Sequence, residues 1–404
     1  MTDGPTPTRT SSDPDRHEAG GLQVARPWAV ALLGATAIGI GLLWFALLYV
    51  SFRDAAFVAG APLADLGGAW AFDLQAYTRA AARLASEGSL YAGELIAAPF
   101  EPGDRDLFYY APPFGVAMLP IAETPIADSS AVWYVLRIGA LLLACLLMPV
   151  KPLIRALAFL AVAFTLWSMK DAILGNVSIL LVLPLAIAWR WLDKPLGSVA
   201  LAMAMSIRPG LGVYLLWQLL RRRWRAMAWT IGAGLMLVVL SLPFVGVDGY
   251  RDYLAVIGNL GVPAGPSENG DLGATVMALG GDDVLVGLAR IASLVVGLVI
   301  VLYSPRRERE VGFMLTLCAS LLIVPLLWNI YLITLILPLA LLADRLRPVV
   351  LLIPLLSWLP PVLTPFIVLA VVALLLLVRD RPLAASGEGP TPATPTRTRI
   401  ASAS

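Results

Sequence analysis

The chain has 404 residues, 59% of them hydrophobic and 14% charged, with a net charge of +2. A soluble fold of this length carries about a quarter charged residues, so the composition excludes an ordinary soluble enzyme. The basic residues sit at the ends of apolar runs and form no nucleic-acid groove. Runs such as "LLIPLLSWLPPVLTPFIVLAVVALLLLV" do not alternate, which excludes a membrane barrel and leaves an all-α polytopic membrane protein.

Residues 1–26 are rich in Thr, Ser, Pro, Asp and Arg and read as a disordered tail, as do residues 382–404. No short charged start precedes the first apolar run in the manner of a signal peptide, so that run is expected to be retained. Thirteen apolar segments follow, at about 27–52, 108–122, 129–149, 152–172, 176–191, 195–207, 209–220, 226–245, 284–303, 311–327, 329–343, 348–361 and 362–378. Together they define one membrane domain over 27–381. The loops 53–107 and 246–283 are its two large polar insertions.

The short basic loops "RRRWR", "SPRRERE", "ADRLRP" and "RDRP" are predicted to face the cytoplasm. Walking outward from them puts 53–107, 172–176, 208, 246–283, 328 and 360 on the external face, with both termini inside. Thirteen full crossings contradict that parity. One segment between 108 and 172 must therefore be re-entrant, broken or fused, and the prolines of "FYYAPPFGVAMLP" and "MPVKP" mark the places where irregular backbone is expected.

In this topology most spans read as clean hydrocarbon and the polar residues gather at the external rim, the pattern of a pathway or site. The stretch "AFDLQAYTRAAARLASEGSLY" predicts a short amphipathic helix lying on the membrane surface. Asp73 and Tyr77 share one face of it, whereas Arg79, Arg83 and Glu87 form a solvated strip. Asp73 either caps this helix or carries chemistry; Ala76, three residues on, excludes a capping box. Arg208, in "SIRPG", either snorkels or holds a phosphate through its forked donors. "GPSENGDLG" contributes Glu268, Asn269 and Asp271, and "LWNIYL" contributes Trp328, Asn329 and Tyr331, as loop or site. Cys145 and Cys318 lie inside apolar runs and read as packing residues, and the one histidine, His17, lies in the tail.

The order of these pieces resembles glycosyltransferase family 87, whose members are GT-C-fold membrane enzymes including polyprenol-phosphate-mannose-dependent α-mannosyltransferases. The series "FYYAPPFGVAMLP", "LGNVSILLVLPLAIAWR", "SIRPGLGVYLLWQLLRRRWRAM", "PSENGDLGATVMALG" and "LWNIYLITLILPLALL" carries the resemblance over about residues 27–378. The resemblance implies a catalytic carboxylate in the first external loop, where Asp73 matches. The family's Gly-Gln-x-Asn stands here as Gly175, Asn176, Val177 and Ser178. Its Lys-Pro stands as Arg208 and Pro209, and Asn269 represents its external Asn-x-Ser loosely. The late histidine of mycobacterial members has no counterpart in "WNIY".

The expected function is therefore transfer of a sugar, mannose by resemblance, from a polyprenyl-phosphate donor to a glycan or glycolipid hydroxyl at the external face of the plasma membrane. Direct displacement with Asp73 as general base would invert the anomeric centre. Arg208 would hold the donor phosphate. Tyr77, Tyr110, Asn176, Glu268, Asn269, Trp328 and Asn329 would contact the substrates. No cofactor is expected, although Asp73 with Asp104 or Asp106 leaves a divalent metal open. The competing readings are a transporter or flippase of a lipid-linked sugar and a non-catalytic relative. ATP drive is excluded because no P-loop motif is present.

Overall fold

The computed structural model describes residues 27–53, 70–100, 108–261 and 269–380. The predicted tails, Asp104, Asp106 and Glu268 lie outside these residues. Helix α1 (Pro27–Arg53) is followed by a polar layer of α2 (Phe72–Glu87), α3 (Gly93–Ala97) and α4 (Pro112–Ala117). Then come α5 (Ile126–Leu147), α6 (Pro152–Ala163) and α7 (Leu166–Leu174), the last two bent by 67° at their junction. Next are α8 (Ser178–Arg190), α9 (Pro195–Ile207) and a 3-10 turn, Pro209–Gly212, that leads into α10 (Val213–Leu220). The chain continues through α11 (Trp224–Asn259), α12 (Leu272–Ala278), α13 (Asp283–Tyr303) and α14 (Arg309–Ile323). A 3-10 segment, Asn329–Leu335, runs into α15 (Ile336–Arg345). A second one, Pro348–Trp358, precedes α16 (Thr364–Leu377).

The fold is thus all-α, and α1, α5, α11 and α13 are each long and apolar enough to cross a membrane. Burial follows the apolar pattern. Every residue of α14 from Val311 to Leu322 is buried, so this helix runs through the centre of the bundle. Helices α1 and α13 instead turn leucines such as Leu33, Leu43 and Leu288 outward, as lipid-facing helices must.

The irregular backbone expected between 108 and 172 is found at two places, the first of them 108–122. Pro112–Ala117 is a six-residue helix, which rises about 9 Å against a hydrocarbon core of about 30 Å. The α6–α7 break is real as well. Thr165 accepts a hydrogen bond from the Ser168 amide at 3.1 Å and so caps a new helix start in mid-segment.

Helix α11 outruns its predicted span because Gly246, at φ 64° and ψ −175°, turns it sharply. That backbone region belongs to glycine. The far half then lies over the polar layer, with Asn259 donating to the carbonyls of Leu95 and Ile96 at 3.1 and 2.8 Å.

Two apolar cores result, one inside the bundle and one beneath α2, α4 and the far half of α11. Trp70 and Ile207 touch both. The seam between these cores is where the polar residues of the rim converge. At the other end the basic loops are tied together. Arg345 grips Glu308 through both terminal nitrogens at 2.6 and 2.8 Å. Arg307 pairs with Asp380 at 3.1 Å, and Arg223 and Arg309 both pair with Asp193.

Candidate functional site

Helix α2 opens against the α7–α8 turn. Gly175 stands at φ 77°, a conformation that disfavours a side chain, and an added Cβ there would lie 3.0 Å from Leu74 Cβ. Glycine therefore permits both the turn and the close approach of α2. The Ala71 amide donates to the Ile173 carbonyl at 2.8 Å, which fixes the helix start. Ala71 itself is the N-cap, held at φ 55° with no side-chain cap. Asp73 is thus the second helical residue and not the N-cap.

What Asp73 meets is Asn176, whose Nδ2 donates to Oδ2 of the carboxylate at 2.8 Å. The orientation of that amide is forced, because Asn176 Oδ1 accepts from the Ser178 backbone N–H at 2.9 Å and from the Ser178 hydroxyl at 2.7 Å. A backbone N–H only donates, so the oxygen must face Ser178 and the NH2 must face Asp73. The carboxylate is half-buried and Asn176 is buried.

From the same face of α2, Tyr77 donates to the Tyr110 hydroxyl at 3.1 Å, and Tyr331 lies next to Tyr110. Burial first, and the nearby Asp73 carboxylate second, push the Tyr77 hydroxyl well above the usual phenol range. Tyr110 is raised in the same direction by burial and by Tyr77. Both stay protonated and serve as hydrogen-bonding groups. The Tyr110 ring packs against Phe108 and Phe114, which leaves its hydroxyl, and not its ring face, for contact with a substrate.

Arg208 closes the row. Its Cζ lies 4.3 Å from the centroid of the Tyr331 ring, it is 5% exposed, and neither terminal nitrogen has a hydrogen-bond partner among the described residues. A buried arginine does not snorkel, so that reading of Arg208 is not met. Gly210 lets the hairpin tip come in, since a Cβ there would stand 2.6 Å from Val324 Cγ1.

The later loops join differently. The Asn269 amide is taken up by the backbone: Oδ1 accepts from the amides of Asp271 and Leu327 at 3.1 and 3.0 Å, and Nδ2 donates to the Pro325 carbonyl at 3.3 Å. Asn269 therefore shapes the rim beside Trp328, with which it forms an isolated bridge. Asp271 caps α12 and pairs with Arg290 at 3.0 Å. Trp328 keeps a buried indole N–H without a partner among the described residues. Asn329 accepts from Thr364 at 2.8 Å and faces a cavity shared with Trp167, Lys170 and Ser357. Arg79 and Glu87 are exposed, as a solvated strip requires, whereas Arg83 is half-buried, with a buried Nε that has no hydrogen-bond partner among the described residues.

The structure thus gathers Asp73, Asn176, Tyr77, Tyr110 and Arg208 around Tyr331. It sets Asn269, Trp328 and Asn329 along the adjoining rim. Sequence reasoning passed over Trp133, Arg137 and Asp171. Arg137 and Asp171 form a buried ion pair at 2.9 Å, so the spans are not all clean hydrocarbon. The signal was available, since a charge inside "YVLRIGALLLAC" is a marker of function in a membrane segment.

A bundle of apolar helices with a carboxylate and an arginine brought together under a polar layer defines a multi-pass membrane protein with a charged site at one end. The profile of glycosyltransferase family 87 matches residues 108–329, more than half the chain, and the protein belongs to that family. It is a membrane glycosyltransferase. The matched stretch holds Tyr110, Asn176, Arg208, Asn269, Trp328 and Asn329, while Asp73 and Tyr77 lie well before it and Tyr331 just after it. No curated protein and no solved structure matches the chain.

Proposed function

We propose that the protein transfers a sugar, mannose, from a polyprenyl-phosphate donor to the hydroxyl of a glycan or glycolipid acceptor, with inversion, at the external face of the plasma membrane. The observation that carries this reading is Arg208, a buried cation whose terminal nitrogens have no partner among the described residues and whose neighbour is an aromatic ring. Burying a cation without a carboxylate is unfavourable unless an anion completes the site. A phosphate matches the forked donors of a guanidinium.

Asp73 takes the proton of the acceptor hydroxyl as that oxygen bonds to the anomeric carbon. The bond from the anomeric carbon to the phosphate oxygen breaks, and its electron pair leaves with the lipid phosphate. Arg208 stabilises the charge that develops there. Tyr77 and Tyr110, neutral and hydrogen-bonded, line the space between base and cation, and Trp328 offers its indole N–H to a sugar hydroxyl. The polyprenyl chain runs in the hydrocarbon beside the bundle. Both termini face the cytoplasm, because the basic loops gather at the end opposite Asp73 and positive loops are retained inside.

The test is transfer from polyprenyl-phosphate mannose by the purified full-length protein, comparing wild type with Asp73→Asn and Arg208→Gln. Loss of turnover in Asp73→Asn with donor binding kept, and loss of donor binding in Arg208→Gln, are the expected results. Undiminished transfer by Asp73→Asn would remove it as the base.

A further inference from the structure

We propose that Arg137, seated in the bundle far from any rim loop in sequence, is a positioning residue for Asp73, and that it acts through the α7–α8 turn with Asp171 as its counter-ion. This inference rests on the reading of Asp73 as the base. The guanidinium of Arg137 donates to the carbonyls of Asp171 at 2.6 Å, Ala172 at 2.9 Å and Asn176 at 3.2 Å, and to the Asp171 carboxylate at 2.9 Å. The Asp171 and Ala172 carbonyls lie in the last turn of α7, at the negative end of the helix dipole, and Asp171's also accepts the Gly175 and Asn176 amides at 3.0 and 3.2 Å, while the Asn176 carbonyl lies just beyond the helix. One arginine thus ties the end of α7 to the turn that follows it.

The counter-ion works on the next helix. The second oxygen of Asp171 accepts the Ile179 amide at 3.2 Å, at the start of α8. One turn before Arg137 on α5, Trp133 donates its indole N–H to the Gly175 carbonyl at 2.7 Å. Side chains of α5 thus hold the carbonyls of Ala172, Gly175 and Asn176 in that turn.

The same turn holds Asp73 twice. The Ile173 carbonyl takes the Ala71 amide and fixes the backbone, and the Asn176 amide takes the carboxylate. A buried ion pair is weak as a source of stability, since apolar replacements of equal volume are often neutral. Its value here is geometric. A misplacement of about 1 Å at a reacting group costs on the order of 100-fold in rate, and this turn is what sets the carboxylate plane.

The experiment uses the full chain in lipid nanodiscs with polyprenyl-phosphate mannose, and compares wild type, Asp73→Asn, Arg137→Met, Asn176→Ala and the Arg137→Met/Asn176→Ala double variant. Arg137→Met is expected to lower kcat ~10- to 100-fold with the donor KM within ~3-fold. The double variant is expected to fall little below the worse single one, because both changes act through one carboxylate. Independently of activity, amide exchange in peptides spanning 70–77 and 171–178 is expected to accelerate in Arg137→Met while peptides spanning 304–310 keep their rate. Should Arg137→Met not fold, Trp133→Phe removes one bond of the same clamp and Arg137→Lys keeps the charge without the fork. Both are expected to reduce kcat more than they raise KM. A wild-type kcat in these variants, additive losses in the double variant, or unchanged exchange at 70–77 overturns the proposal. Full turnover by Asp73→Asn instead removes the base reading, and the exchange result still decides whether Arg137 orders α2.

Discussion

Arg345 and Arg208 are the same residue type at opposite ends of the molecule, Arg208 buried and Arg345 half-buried with its side chain turned inward. Arg345 meets two carboxylates, Glu308 and Glu310, at 2.6 Å each. Arg208 meets a tyrosine ring. The first arrangement spends the charge on tying the loops 304–310 and 343–347 together. The second leaves two donors facing inward, which suits an anion that comes and goes. Carboxylate pairing makes a structural cation, and aromatic support makes a cation ready for a ligand.

That contrast can be broken at several points. Asp73→Asn should reduce transfer the most, by ~10²- to 10⁴-fold, since it removes the proton acceptor while keeping the Asn176 contact; single-turnover kinetics would measure it. Arg208→Gln should lower kcat/KM by ~10²- to 10³-fold, with Arg208→Lys between it and wild type because a lysine keeps the charge and loses the fork. Tyr331→Leu should cost roughly 10- to 30-fold through loss of about 2 kcal/mol of cation–π support, whereas Tyr331→Phe, which keeps the ring, should cost only a few-fold; donor titration separates the two. At the other end, Arg345→Gln should lower stability by about 3 kcal/mol by stranding two carboxylates, visible as a lower Tm, with turnover per folded molecule unchanged. An Arg345 variant that loses donor binding, or an Arg208 variant that loses only stability, would undo the distinction.

Much of the site was legible in the chain. Asp73 and Tyr77 stood out because an amphipathic helix between apolar runs has an obvious polar face, and four residues bring Asp73 and Tyr77 onto it. Arg208 stood out through its place at a hairpin tip. Asn269 was legible as polar but not as spent on the backbone, because nothing in "PSENGDLG" says that Leu327 and Pro325 will fold against it. Arg137 and Asp171 were missed because their charges are hidden in runs whose average is apolar, and only the pairing of 137 with 171 reveals what they satisfy.

The sequence by itself determined the class of the protein and the order of its helices, because hydrocarbon thickness and backbone hydrogen bonding leave an apolar chain few options. It also determined which end of the bundle carries the basic loops. Only the tertiary structure decided that 108–122 stops short, that Gly246 folds the far half of α11 over the polar layer, and that Asp73, Asn176, Tyr110, Tyr331 and Arg208 meet. Those residues come from segments up to some 250 positions apart. Their meeting depends on close approaches at Gly175 and Gly210, and a hydropathy pattern carries no information about such contacts.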